Sequence, residues 1–215
     1  MAHKVHPKSY RLKNLADWNS RWFDKKNFPK HLEEDFKIRE YLQKKIGKLG
    51  IEKIEIERFA GKLNIIISSA RPGLIIGRGG SGIEELKKVL EIKVLKNNKA
   101  KKEVRIEIRE VKDIWSSASL SAQYIAQQIE KRVPFRKVLK QTLEKISMSK
   151  QVKGARIEVR GRLNGAEIAR REWLQKGRLP RQTIRADIDF IEDRAYCTYG
   201  TIGIKVWIYK GDKFD

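Results

Sequence analysis

The chain has 215 residues, and its 49 Lys and Arg residues against 27 Asp and Glu give a formal net charge of +22. A compact protein with this excess repels itself unless a polyanion neutralises it, so nucleic acid is the leading partner and an anionic membrane surface the second. No stretch reaches the roughly 20 apolar residues of a transmembrane helix, and the N-terminus lacks an apolar signal segment, so we expect neither membrane insertion nor secretion. The single cysteine, Cys197, cannot form a disulfide within the chain and suits a reducing cytoplasm.

The first 27 residues are predicted to form a basic arm in which Lys and Arg alternate with aromatic residues. Such a mixture can pair phosphates and stack on bases, although the aromatic residues can equally pack on a neighbouring domain. We expect Trp18–Phe23 to pack and the first dozen residues to extend away from the protein.

Residues 28–111 are predicted to form a first domain that opens with a helix over Pro29–Ile46. The apolar residues near one face of this helix are Leu32, Phe36, Tyr41 and Leu42, with Ile38 and Ile46 at the edges. Two strands with alternating apolar residues follow, around Ile54–Ile56 and Leu63–Ile67, and a hairpin turn at 59–62 joins them.

After a short apolar turn, the chain enters a glycine-rich loop, Gly77-Arg78-Gly79-Gly80, and then a predicted helix over Ile83–Val94. Glycine lets the backbone of a ligand approach closely, and the N-terminus of the helix adds partial positive charge, so the loop is suited to phosphate. The pattern matches the G-x-x-G of KH domains, which clamps the backbone of about four nucleotides.

Two other interpretations of the loop compete with this one. Gly77, Gly79 and Gly82 match the dinucleotide fingerprint G-x-G-x-x-G, and a glycine-rich turn can also serve only to join two elements. A dinucleotide-binding unit needs a parallel strand before the loop and an acidic residue about 20 positions later. Pro72-Gly73 breaks the chain just before the loop, and residues 97–103 form a basic loop, so the KH interpretation is favoured.

The order of the elements is more specific than the loop itself. A basic linker at 97–102 and a strand around Val104–Ile108 complete the first domain, giving helix, strand, strand, helical turn, G-x-x-G, helix, strand. This is the order of a type-two KH domain. In it the first helix would cover the sheet, and the loop would lie between two helices whose N–H groups converge on phosphate.

A second domain is predicted over residues 112–215, beginning with a helix over Ile114–Lys131. Pro134 suits the first turn of the next helix. The apolar stripe of that helix is Phe135, Val138, Leu139, Thr142, Leu143 and Ile146. Its opposite face carries Arg136, Lys137 and Lys140, with Lys131 and Arg132 just before the helix. A solvated lysine face is the common alternative, but few acidic residues relieve the repulsion, so we favour a binding surface.

A strand around Ala155–Arg160 is followed by a turn and by a short helix predicted over Ala166–Leu174. Two further strands with alternating apolar residues, around Ile184–Phe190 and Ile202–Ile208, are predicted to pair antiparallel. Residues 131–185 contain 17 Lys or Arg against 4 Glu, a net charge of +13, so most of the excess charge lies in this segment.

Catalysis and metal binding are not indicated. All three histidines lie within the first 31 residues without a cysteine nearby, and no Ser-His-Asp set is suggested. Asp187 and Asp189 share one face of a predicted strand and could pair on a metal, but Arg185 beside them favours ordinary salt bridges. We therefore predict no enzyme activity, no cofactor and no metal.

Several segments, in order along most of the chain, carry a resemblance to a known family. They are Lys4-Val5-His6-Pro7 with Arg11-Leu12, Ala70-Arg71-Pro72-Gly73 through Gly80, Gly161-Arg162-Leu163 with Gly165 through Arg170, Leu179-Pro180, Arg185 through Asp189, and Tyr199-Gly200 with Gly203 through Ile208. With these segments the chain resembles the bacterial ribosomal protein S3 family, the KH-containing proteins of the small-subunit head. Many relatives have two lysines where Arg78-Gly79 stands, so a lower affinity of the loop for RNA is expected.

The fold class expected from the element order and the resemblance is α+β. It comprises an N-terminal type-two KH domain and a C-terminal α/β domain of two helices and a small mixed or antiparallel sheet. The resemblance implies a structural constituent of the small-subunit head, cytoplasmic in the ribosome and present in a single copy rather than as a homo-oligomer. The implied partners are small-subunit ribosomal RNA, messenger RNA at the entrance of its channel and neighbouring head proteins, and no membrane.

In this family the residues that match Phe135–Lys140 face the incoming message and help to melt its structure without nucleotide hydrolysis. A free KH-domain RNA-binding regulator is the alternative function. The nucleic-acid-binding residues expected from these arguments are Gly77, Arg78, Gly79, Gly80, Lys131, Arg132, Arg136, Lys137, Lys140, Arg160, Arg162, Arg170, Arg171 and Arg178.

Overall fold

A computed structural model of the chain describes residues 5–12, 17–59, 62–93 and 103–214. The chain divides into two compact units. The N-terminal unit is Trp18–Lys112, and the C-terminal unit combines Asp113–Asp215 with the residues up to Asp17. The segment 1–27, which we predicted as one arm, is therefore shared between the two units.

The elements are named here in chain order. The first half of the chain contains α1 (Pro7–Arg11), β1 (Ser20–Arg21), α2 (Phe28–Ile46), β2 (Ile51–Phe59), β3 (Lys62–Ser69), α3 (Pro72–Ile76), α4 (Ser81–Lys93) and β4 (Glu103–Glu110). The second half contains α5 (Ala118–Glu130), α6 (Phe135–Met148), β5 (Gly154–Gly161), β6 (Arg170–Gly177), β7 (Ala186–Cys197) and β8 (Gly200–Asp212).

The N-terminal unit has a four-stranded sheet in the order β1-β2-β3-β4. β2 and β3 form an antiparallel hairpin, whereas β3 and β4 run parallel, with Leu63 opposite Val104. Parallel neighbours need a crossover connection, which α3 and α4 supply. Residues of α2, α3 and α4 share one apolar core with the strands, including Leu42, Ile65 and Leu90. This arrangement confirms the predicted type-two KH order.

Helix α2 buries a different stripe from the one we predicted. Ile38, Leu42 and Ile46 are at most 5% exposed, whereas Leu32 and Phe36 are 54% and 67% exposed. The prediction was wrong for Leu32 and Phe36 because two apolar stripes lie side by side on this helix, and the sheet covers only one of them.

The C-terminal unit has a fully antiparallel sheet in the order β6-β5-β8-β7, with α5 and α6 packed on one face. Alternation along β5 directs Ala155, Ile157 and Val159 into the core that these helices share with the sheet. The opposite face, called the outer sheet face, carries the intervening residues Arg156, Glu158 and Arg160 and their cross-strand neighbours. The predicted antiparallel pairing of the last two strands is confirmed by β7 and β8.

The helix predicted over Ala166–Leu174 is wrong. A single turn of 3-10 helix at Leu163–Gly165 precedes strand β6, which pairs with β5 from Gly161–Arg170 to Gly154–Gly177. A continuous ladder of hydrogen bonds to a neighbouring strand outweighs the weak helical preference of a short polar segment.

The described part of the N-terminal arm also departs from expectation. Helix α1 packs against β7, and Arg11 is 3% exposed, with its guanidinium donating to the carbonyl oxygens of Arg181 and Thr183 at 2.9 Å each. Residues 5–12 therefore do not extend away from the protein. In the segment expected to pack, Trp22 does so, donating to the Asp35 carboxylate at 2.8 Å and contacting the His31 ring, whereas Trp18 and Phe23 are 65% and 85% exposed. The tip of the β2–β3 hairpin and the linker at 97–102 lie outside the described residues.

Candidate nucleic-acid interface

The glycine-rich loop lies between the end of α3 and the start of α4. Gly77, Gly79 and Gly80 have φ angles of +73°, +59° and +83°, a region that residues with a Cβ rarely adopt. A Cβ on Gly79 would meet no atom of the described residues within 4 Å, so the loop is open to an approaching ligand. The N-terminus of α4 points its N–H groups at the loop, whereas α3 ends there. We expected two helix N-termini at the loop, and that expectation is corrected to one.

Gly82 is needed for packing rather than for a nucleotide. A Cβ at this position would lie 2.5 Å from the carbonyl oxygen of Ile75 and 2.9 Å from that of Ile76. Helices α3 and α4 can meet this closely only because Gly82 has no side chain. The third glycine of the apparent dinucleotide fingerprint therefore has a structural explanation.

Helix α6 presents its cations as the periodicity predicted. The residues of its predicted apolar stripe are all buried: Phe135, Val138, Leu139, Thr142, Leu143 and Ile146. Arg136, Lys137 and Lys140, called the α6 surface, are exposed on the other side. A rigid helix seated on the core thus holds three cations toward solvent.

The three cations of the α6 surface are not equivalent. The guanidinium of Arg136 donates two hydrogen bonds to the carboxylate of Glu172 on β6, at 3.1 and 3.3 Å. These hydrogen bonds, together with the charge of Glu172, raise the pKa of Arg136. Within the described ranges, neither Lys137 nor Lys140 has a carboxylate partner. Sequence reasoning missed Glu172 because 36 residues separate it from Arg136.

Two further predicted cations lie near the start of α6. Lys131 and Arg132 are exposed in the turn before the helix, and Arg132 has a φ of +62°.

Arg162 donates to the carbonyl oxygens of Ala166 at 3.0 Å and Tyr199 at 3.3 Å, and so holds the β5–β6 turn. The same turn reaches α6, since the side chain of Asn164 accepts a hydrogen bond of 3.4 Å from the backbone N–H of Phe135.

The remaining predicted cations lie elsewhere on the sheet. Arg160 and Arg171 are opposite each other on the outer sheet face, and both contact Glu158, at 3.3 and 2.8 Å. Arg170 lies opposite Gly161, at the end of β6 that is near the β5–β6 turn, and Arg178 follows the other end of β6. The structure therefore separates the predicted set into the glycine loop, the α6 region and the outer sheet face, with Arg178 apart from all three.

Comparison with known proteins assigns both units. A family model described as KH domain matches residues 37–116, and one described as ribosomal protein S3, C-terminal domain, matches residues 125–208. Small ribosomal subunit protein uS3 of Caldicellulosiruptor saccharolyticus is 49% identical over 213 residues, 99% of this chain and 93% of the relative. The chain belongs to the uS3 family. Proteins of the same name from Synechocystis sp. and Endomicrobium trichonymphae are 47% and 46% identical over 99% and 100% of this chain, and over 87% and 90% of their own lengths.

Membership of the uS3 family confirms the predicted fold class, since the two matched models account for the KH unit and for the C-terminal unit. The match to the KH model includes the glycine loop, and the match to the uS3 C-terminal model includes α6 and most of the second sheet. The family is structural and non-enzymatic, which confirms the prediction that this chain is not an enzyme.

The acidic pair that could have bound a metal has other partners. Asp187 pairs with Lys213 at 3.3 Å, and Asp189 pairs with Lys8 at 2.9 Å. Burial alone would raise the pKa of Asp189, but Lys8 and a hydrogen bond from the backbone N–H of Ala118 outweigh it and lower the pKa. In the ranges that the structure describes, no group of three or more His, Cys, Asp or Glu side chains could hold a metal ion. None of the described helices combines the length and apolar character that a bilayer crossing requires.

Proposed function

We propose that this member of the uS3 family is a structural constituent of the small ribosomal subunit head, present in one copy among neighbouring head proteins. In this proposal the chain binds small-subunit ribosomal RNA, and its α6 surface lines the entrance of the messenger RNA channel. There it holds incoming single-stranded message and favours the melting of structured message.

The observation that carries this proposal is the exposed α6 surface on a helix whose apolar stripe is buried in the core. Cations on a rigid support hold a single strand through its phosphates and ignore its sequence, as a channel that passes every message requires. Where the channel entrance admits only a single strand, cations that bind this strand shift the pairing equilibrium toward the open form without any nucleotide hydrolysis.

The glycine loop supports the second part of the proposal, which is contact with ribosomal RNA. The open loop and the N-terminus of α4 together offer backbone N–H groups and partial positive charge to one stretch of phosphate backbone. Only one cationic side chain, Arg78, stands between the outer glycines, so the backbone donors carry a larger share of this contact.

The channel role is tested with ribosomes that carry Arg136→Ala, Lys137→Ala and Lys140→Ala together. Assembly and translation of unstructured messages should be preserved, because the buried stripe of α6 is untouched. Elongation through a stable hairpin should be slowed relative to a matched single-stranded message. Equal slowing on both messages, or on neither, would overturn the channel role and leave these residues as assembly contacts.

Ribosome membership is tested separately by sedimentation of a cell extract. A ribosomal constituent should be recovered mainly with small subunits and whole ribosomes. Recovery in the light fractions would instead favour a free KH-domain regulator.

A further inference from the structure

Trp173 is the exposed end of a row of stacked side chains that crosses the outer sheet face. The guanidinium carbon of Arg156 lies 4.0 Å from the centroid of the Trp173 ring and 5.8 Å from that of Trp207. Behind Trp207, Phe190 continues the row with a centroid separation of 5.0 Å. Arg156 and Trp207 are each 8% exposed, whereas Trp173 is 49% exposed. One face of the indole is therefore backed by a buried cation, while solvent reaches the rest of the ring.

The covered and open parts of the outer sheet face have different chemistry. Leu179 packs against the apolar cluster of β7 and β8, and α1 places His6 4.8 Å from Phe190, so that end is covered. Around Trp173, on the β5–β6 half, the exposed side chains are those of Arg160 and Arg171 on one side and Gln175 on the other. The only open ring in the row thus lies next to a pair of exposed cations rather than inside the covered cluster.

Positive charge exceeds negative charge beside Trp173. Three arginines, Arg156, Arg160 and Arg171, share the single carboxylate of Glu158 at 2.8–3.4 Å. Burial by itself would raise the pKa of Glu158. The hydrogen bonds and charges of these guanidinium groups have the larger effect and lower the pKa, so the carboxylate stays ionised and is shared by three guanidinium groups. The acids Glu192 and Asp193 of β7 line a cleft with Arg160, but Arg194 and Lys205 line the same cleft, and Glu192 is paired with Lys205 at 2.6 Å.

We propose that Trp173 is a stacking platform for an unpaired base of single-stranded RNA, with Arg160 and Arg171, which lie side by side next to the ring, contacting the adjacent phosphate backbone. An exposed aromatic ring with cations beside it is how sheet surfaces bind single strands, and stacking accepts any base because every base has an aromatic face. The stack on Arg156 restrains the indole before binding, so little side-chain freedom is lost when a base docks. An RNA partner is chosen over a protein because the open half of this face has excess positive charge.

This site is separate from the α6 surface. Arg171 and Trp173 point to the outer sheet face, whereas Glu172 between them faces α6 and pairs with Arg136. The inference therefore requires that the chain binds RNA, as in the proposed function, but it does not require the messenger channel role. Each can fail without the other.

The test compares a short oligoadenylate with an abasic oligonucleotide of the same length, both labelled for fluorescence anisotropy with the full chain. Trp173→Leu should weaken oligoadenylate binding roughly 5- to 150-fold and leave abasic binding nearly unchanged. Trp173→Phe should restore most of the loss. The matched control is Tyr196→Leu, which removes a ring that is 68% exposed on β7, the other edge strand of the same sheet.

Three outcomes would overturn the inference: no effect of Trp173→Leu, an equal loss on both oligonucleotides, or an equal loss in the Tyr196→Leu control. A second experiment uses the unaltered chain, so its result does not depend on whether a variant folds. Photocrosslinking to oligouridylate that contains 5-bromouridine should give an adduct on Trp173, and adducts only elsewhere would also overturn it. Replacing Lys137 and Lys140 by alanine should weaken the binding of the oligoadenylate and of the abasic oligonucleotide to the same extent. If that loss is absent while the Trp173 effect persists, the proposed role of the α6 surface fails and this inference stands.

Discussion

Replacing Lys137 and Lys140 by alanine should weaken the binding of single-stranded RNA and flatten its salt dependence. Both ammonium groups are exposed and have no carboxylate partner among the described residues, so each is free to contact one phosphate. One phosphate contact on a single strand contributes about 0.7 to the slope of log K against log salt concentration. Losing two contacts should reduce the magnitude of the slope by about 1.4. If these two contacts contribute nothing to the affinity near 1 M salt, their loss weakens binding about 25-fold at 0.1 M salt.

The fold should tolerate this change. Alanine is the best helix former, and removing two like charges three residues apart relieves a repulsion of a few tenths of a kcal/mol. Lys145→Ala on the same helix is the control. The Lys145 ammonium lies 5.0 Å from the centroid of the Trp115 ring and 4.9 Å from that of Tyr124, so it is already engaged and its loss should change the slope far less.

Fluorescence anisotropy titrations of a labelled single-stranded RNA at several salt concentrations give the slope, and thermal unfolding of each variant gives its stability. An unchanged slope in the Lys137→Ala, Lys140→Ala variant, with normal unfolding, would refute the assignment of these cations to phosphate contacts. A slope change equal to that of the Lys145→Ala control would refute it as well.

Three further predictions concern single positions. Glu172→Gln should strengthen RNA binding and steepen the salt slope, because it frees Arg136 from its carboxylate; an unchanged affinity in the same titration would show that the ion pair does not compete with RNA. Gly79→Asp should weaken RNA binding by the loop more than Gly79→Asn, since both side chains tolerate positive φ but only aspartate repels phosphate; equal affinities would show that the loop is only a turn. Gly82→Ala should lower stability by about 1–3 kcal/mol in thermal or denaturant unfolding, because its Cβ would overlap the Ile75 carbonyl; wild-type stability would contradict this packing argument.

Local periodicity in the sequence determined several elements of this protein by itself. In α6, the spacing of apolar residues from Phe135 to Ile146 alone predicted which side would be buried and where Lys137 and Lys140 would point, and the structure agrees. Alternation predicted strand β5 in the same way, and the order of elements around the glycine loop predicted the type-two KH fold. The buried side of α6 and the alternation of β5 follow from the geometry of a single helix or strand, so neighbouring residues are enough to specify them.

Contacts between distant residues decided the rest. Leu32 and Phe36 have the same spacing as a buried stripe, and only the position of the sheet leaves them exposed. The helix predicted over Ala166–Leu174 is wrong because β5 offers a complete ladder of hydrogen bonds to the strand that begins at Arg170. The same pairing placed Glu172 against Arg136 on one face, and Trp173 beside Arg156 on the other. Strand register sets both neighbourhoods, and a register between strands separated by a loop is a tertiary property that local spacing does not contain.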